Sequence, residues 1–135
     1  MVGLPHILTF ESLYSYDLRE LGITIPVELS IGEEGCAVPS RLDSGAAFCI
    51  FQRDYGEILG LDIEGGDPQW IETPTGRFLT YGHGVSLNAL DLTHDMVAYF
   101  AENREFTRNV LGRTWMQRMR LGIIDYEGQI YSNAY

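Results

Sequence analysis

The chain has 135 residues, 45% of them hydrophobic and 21% charged, and a formal net charge of −10. That composition predicts one soluble globular domain, 1–135, with enough apolar content for a real core. The acidic balance argues against nucleic acid or an anionic membrane surface as a partner, and no apolar run approaches the roughly 18 residues of a membrane span.

The first residues, Met1-Val2-Gly3-Leu4-Pro5-His6, have neither a basic n-region nor an apolar h-region. The expected setting is therefore the cytoplasm, with Cys36 and Cys49 as two free, half-buried thiols. Residues 7 to 14 read as an N-terminal strand or extended arm, and Ser15 to Gly22 as a connector. Ile23 to Ile31 is the clearest strand: every odd position is apolar, the period-two pattern of a half-buried strand. Pro26 lies on the other face and cannot donate to a ladder, which marks that end as an edge or a strand start. Gly32-Glu33-Glu34-Gly35 reads as a hairpin turn, and Cys36 to Leu42 returns as a second strand that delivers Asp43.

A short apolar strand, Phe48 to Phe51, follows. Gln52 to Leu59 has Tyr55, Ile58 and Leu59 at helical spacing, closed by Gly60. Asp62 to Asp67 is an acidic, glycine-containing loop. Gln69 to Tyr81 reads as strand, turn, strand, with Pro74-Thr75-Gly76 as the turn. Val85 to Ala89 alternates again, and Met96 to Ala101 is the continuous apolar run of a central strand. Val110-Leu111-Gly112-Arg113 leads into a helix, Thr114 to Leu121, with Trp115, Met116 and Met119 on one side and Arg118 and Arg120 in its last turn; Gly122 is the expected stop. Ile123 to Tyr131 reads as a final hairpin turning at Glu127-Gly128.

Metal chemistry finds no support in this pattern. His6, His83 and His94 lack ligand spacing and read as surface or loop residues. Asp62, Glu64 and Asp67 lack the twelve-residue calcium pattern with its closing Glu. There is no phosphate-binding glycine loop. Taken alone, Asp43-Ser44-Gly45 is an Asx turn between strands, since all three residues are turn formers.

Asp43-Ser44-Gly45-Ala46 in the first half, and Asn109-Val110-Leu111-Gly112-Arg113 before a Met- and Arg-rich helix near the end, together make a more specific pattern. The pairing resembles the retropepsins, the single-domain aspartic proteases of retroviruses and their cellular relatives, over about residues 23–131, and the expectation is a cellular, bacterial member. The resemblance implies an all-β, closed-barrel acid-protease fold with a flap hairpin. It implies a symmetric homodimer that cleaves an extended peptide or protein substrate with one Asp43 per subunit and with no metal or organic cofactor. Ser44, Gly45 and Ala46 would support the catalytic loop, the Ser44 hydroxyl reaching the partner's backbone across the axis. Pro74, Thr75 and Gly76 would be the flap. Pro74 departs from the glycine-rich viral flap and removes an N–H.

In the same comparison Gly112 and Arg113 are structural. The acid that pairs with this arginine in viral members is missing, since Ala47-Phe48-Cys49 stands in its place, so Asp54 or a carbonyl is the expected partner. Ile130 to Tyr135 correspond to the tail that forms an intersubunit sheet in viral members. Ala47 reads as packing under the loop, and Trp70 and Phe78 as core rather than cleft. The rival within the same fold is a dimeric peptide-binding or scaffolding module in which Asp43 only helps to hold the dimer.

Overall fold

The computed structural model describes residues 3–134, so Met1, Val2 and Tyr135, at the ends of the expected domain and tail, lie outside the described residues. The strands are β1 (Ser12–Ser15), β2 (Thr24–Ile25), β3 (Glu28–Ile31), β4 (Glu34–Ala37), β5 (Ser40–Leu42) and β6 (Ile50–Phe51), followed by helix α1 (Arg53–Ile58). Then come β7 (Asp67–Thr73), β8 (Gly76–Ala89), β9 (Leu92–Ala101), β10 (Val110–Leu111), helix α2 (Arg113–Met116), β11 (Arg120–Ile124) and β12 (Gln129–Asn133). The chain is mostly β, as its patterning predicts.

The main sheet runs β2-β5-β10-β6-β9-β8-β3-β4, with β7 paired to the first half of β8. It curls into a half-barrel. Two of its strand breaks fall at prolines. The single strand expected over 23–31 is broken at Pro26 into β2 and β3, and the one expected over 36–42 is broken at Pro39 into β4 and β5. Proline has no N–H for a ladder, so the chain changes neighbours there: β2 pairs with β5, whereas β3 pairs with β4 and β8.

A second sheet has the order β1-β12-β11. Its existence corrects two expectations. The helix expected to reach Leu121 ends at Met116, and Arg120 to Ile124, including the supposed stop Gly122, lie in a strand with five cross-strand partners on β12. Residues 130–133, expected at a subunit boundary, are in β12, which is paired on both sides within the chain.

Ile25, Leu29, Val38, Phe51, Leu87, Phe100, Leu111, Trp115 and Ile130 are fully buried in one contiguous hydrophobic cluster. Each stabilises the fold by roughly 1.5–3 kcal/mol relative to exposure. Trp115 reaches it from α2 and Phe51 from β6, so the elements flanking the Asp43 loop are pinned from beneath.

Candidate active site

β10 lies between β5, to which it is parallel, and β6, to which it is antiparallel. The segment joining β5 to β6, residues 43–49, must therefore arch over the end of β10. Asp43 is its first residue. Its N–H donates to the Leu111 carbonyl at 2.9 Å, and its carboxylate Oδ1 accepts the Gly45 N–H at 2.8 Å. This is the Asx turn that the residue types suggest, and it fixes the acid rather than hiding it: Asp43 is exposed, with no ion pair among the described residues. The far side of the arch is strapped to the start of α2, where Arg113 N–H donates to the Ala46 carbonyl at 2.8 Å and Thr114 N–H to the Ala47 carbonyl at 3.0 Å.

Gly112 makes this strapping possible. A Cβ there would stand 2.3 Å from the Phe48 carbonyl oxygen and 2.7 Å from that of Ala46. The glycine of the Val-Leu-Gly-Arg segment is thus required by close backbone approach. Cys49 is buried below the arch, its Sγ 3.9 Å from Thr114 Oγ1. Burial pushes its thiol up from the ordinary range.

Asp43 opens onto a cleft of about 820 Å³. One wall is the loop itself, Gly45 to Phe48, with Ile50 and Val110 behind it. The other wall is the β7–β8 hairpin from Trp70 to Thr75, together with Phe78. Glu105 to Arg108 complete the rim. At the hairpin tip Thr73 Oγ1 donates to the Gly76 carbonyl at 2.8 Å, and further back the Arg77 guanidinium sits 4.3 Å from the Trp70 ring centre. Such a cation–π contact at an exposed site stabilises by about 0.5–1 kcal/mol. Phe78 stacks on Phe106 with centroids 4.9 Å apart, tying the hairpin to the rim.

Of the residues singled out from sequence, the cleft gathers Asp43, Gly45, Ala46, Pro74 and Thr75. Ser44 and Gly76 lie off its lining. The Ser44 side chain is exposed and has no hydrogen bond among the described residues. Gly112 and Arg113 hold the loop from below. Several expectations need correction. Ala47 is exposed on the cleft and does not pack under the loop. Trp70 is 46% exposed, and both it and Phe78 line the cleft. Asp54 does not serve Arg113: Arg104 holds it at 2.5 Å and also pairs with Glu57. Arg113 instead contributes its backbone N–H. His83 is half-buried and contacts the Ile63 carbonyl at 2.9 Å. Sequence reading missed Phe48, Ile50, Glu72, Val110 and the run Phe106-Thr107-Arg108 as lining residues. The last lies immediately before Asn109-Val110, and that adjacency was the available signal.

No protein-family model matches the sequence, and no curated protein sequence matches it. Solved structures do. The chain is similar to EIAV protease, a retroviral protease, complexed with the inhibitor HBY-793. The TM-score is 0.59 at 18% sequence identity, over 77% of this chain and 92% of that one. The fold is retropepsin-like. At that identity the likeness concerns the fold, and the site rests on its own geometry.

Proposed function

We propose that the chain is an aspartic endopeptidase, active as a symmetric homodimer with one Asp43 from each copy. The observation that carries this reading is the position of Asp43. Its main-chain N–H is held by the Leu111 carbonyl, its carboxylate accepts the Gly45 N–H, and the residue faces an open cleft. The opposite wall of that cleft is a hairpin, in a fold shared with a retroviral protease. A single carboxylate can take a proton from water but cannot at the same time donate one to the scissile carbonyl. Two such acids about 3 Å apart cannot both ionise, and they share a proton. The ionised one takes a proton from water as the water attacks the scissile carbonyl. The protonated one hydrogen-bonds to the carbonyl oxygen and stabilises the tetrahedral intermediate, and a proton then passes to the leaving amine.

The cleft suits an extended peptide whose apolar side chains lie against Phe48, Ile50, Phe78 and Val110. Thr75, at the flap tip, offers the backbone N–H that Pro74 lacks. The free Ser44 hydroxyl is available to bond the partner's loop across the axis.

The test is a peptide library incubated with the purified dimer between about pH 3.5 and 7. Cleavage that Asp43→Asn abolishes, with the dimer retained, supports the protease. A confirmed dimer that cuts nothing while still binding peptides would replace it with the scaffolding module.

A further inference from the structure

Four charged residues line the cleft: Asp43, Glu72, Glu105 and Arg108. Asp43 is taken by the proposed chemistry. Arg108 is the cleft's single cation among the described residues, in a chain with 19 acidic and nine basic residues. Elsewhere Arg19, Arg53 and Arg104 are held by carboxylates, and Arg77 lies over the Trp70 ring. Arg108 is exposed, and its guanidinium has neither an ion pair nor a hydrogen bond among the described residues, although Glu72 and Glu105 share its cleft.

The backbone on either side of it is fixed. Asn109, next in sequence, accepts the Arg41 N–H on its carbonyl at 2.8 Å and the Gln52 N–H on its side chain at 3.0 Å. Two residues earlier, Phe106 is stacked on Phe78. Leu111, three residues on, holds the Asp43 N–H. At most about 10 Å of chain therefore separates Arg108 from the residue that seats the acid. An extended peptide advances about 3.3 Å per residue, which puts Arg108 beside substrate positions no more than three residues from the cut bond.

A guanidinium there recognises one chemistry. Its planar fork matches a carboxylate with two parallel hydrogen bonds, and it stays charged throughout the acid and neutral range. The rest of the lining offers an acidic side chain nothing: Phe48, Ile50, Phe78 and Val110 are apolar, and Glu72 and Glu105 repel it. A peptide carboxylate thus has one favourable place, and that place sets the register of the chain in the cleft. We propose that Arg108 is a specificity residue, selecting peptides that carry Asp or Glu within three residues of the scissile bond, among apolar side chains. The proposal rests on the protease reading and names its substrate class.

Paired peptides test it, with Glu placed at each of those positions in turn and Gln in its twin. At about pH 6, where Glu is ionised, the wild-type dimer should cut the best Glu peptide about 10-fold better in kcat/KM than its Gln twin. At about pH 3.5, where Glu is largely protonated, the ratio should fall towards one. At the higher pH, Arg108→Gln should abolish the preference, Arg108→Glu should reverse it, and Arg108→Lys should retain part of it, keeping the charge without the fork. Arg108 is exposed, so these variants should fold, which thermal melts confirm, and sedimentation velocity should find their dimer unchanged. A wild type indifferent to the Glu-for-Gln exchange, or a preference that survives in Arg108→Gln, overturns the proposal. A dimer that dissociates when Arg108 is changed also overturns it, because the guanidinium then serves assembly. Binding of the same peptides, read by fluorescence anisotropy, keeps the two ideas apart. An active wild type without a Glu preference refutes the selection and spares the protease. A wild type that cuts nothing, yet binds Glu peptides through Arg108 more tightly than their Gln twins, supports the selection and refutes the protease. One that neither cuts nor binds overturns both.

Discussion

Gly112→Ala is the sharpest probe of the strapped loop. The added Cβ would lie 2.3 Å from the Phe48 carbonyl oxygen, where contacts below 3.0 Å are essentially never seen, so the backbone must retreat by at least about 0.7 Å. No rotamer change relieves the clash, because the opposing atoms are main chain. Phe48 is itself held by its ring contact with Tyr99 at 4.8 Å and by the buried Cys49 beside it. Overpacking of this kind costs about 1–3 kcal/mol. Withdrawing the arch also stretches the bonds from Arg113 and Thr114 N–H, which contribute about 1 kcal/mol each. A total near 3 kcal/mol lowers Tm by about 10 °C for a chain of this length. The same retreat moves Asp43 and should cost about 10²-fold in any peptidase activity. Gly84→Ala is the control: nothing lies within 4 Å of its Cβ position, and its melt should stay within about 0.5 kcal/mol of wild type. Melts are compared at one protein concentration, since a dimer's Tm depends on it. A folded Gly112→Ala protein melting within about 2 °C of wild type would refute the reasoning.

Burial raises the pKa of both thiols, but Cys49 is fully buried and Cys36 only partly, so an aromatic disulfide reagent at pH 8 should modify Cys36 first and reach Cys49 only on unfolding; equal native rates would contradict the packing under the loop. Hydrogen bonds from Arg104, Arg53 and Arg19 lower the pKa values of Glu57, Glu64 and Asp17 respectively. Their stabilisation is therefore present above the unfolded carboxylate range near pH 4 and lost as pH falls through the lower folded values. Urea midpoints should drop between about pH 5 and 3, and less steeply in Arg104→Ala; an unchanged slope would remove the Arg104 pairs from the account. Burial, with the Asp125 carboxylate at 2.6 Å, pushes Tyr16 up to about 12, so its phenol should ionise late in an ultraviolet titration and stability should decline between pH 10 and 12; Tyr16→Phe should delete that late phase.

What could be read in the sequence was mostly local. The flap turn was legible because Pro74-Thr75-Gly76 carries its own backbone chemistry, and β7 and β8 end and begin on either side of Pro74 and Thr75. α1 was legible because Tyr55 and Leu59 share a face and Gly60 adopts φ +84° just beyond it. β8 was read as two pieces because Gly82 and Gly84 interrupt the alternation. The structure runs one strand through them, the Tyr99 and Val97 side chains lying where a Cβ on Gly82 would be. The insertion of β10 between β5 and β6 could not be derived from pattern. It joins residues about 70 apart, and a two-residue strand has no periodicity to detect. That insertion is what turns Asp43-Ser44-Gly45 from an ordinary turn into an arch with an exposed acid.

The segment after Gly112 shows the opposite failure, in which local preference was clear and lost. Met116, Gln117, Arg118, Met119, Arg120 and Leu121 are all good helix formers, and an isolated peptide with this sequence would favour a helix by a few tenths of a kcal/mol per residue over β-branched alternatives. The chain leaves the helix at Met116 all the same. Five backbone partners on β12, with Met119 buried and Leu121 packed against the core, outweigh that sum. The consequence is chemical as well as architectural. In a helix, Arg118 and Arg120 would have fanned around an axis, and the acids at 125 and 127 would have stood a turn or more away. In the structure Arg120 opens the edge strand, Ile123 and Ile124 stand exposed along it, and Asp125 and Glu127 follow in a short 3-10 turn that leads into β12. The residues that break the helical expectation are therefore the ones that complete the three-stranded sheet along β12.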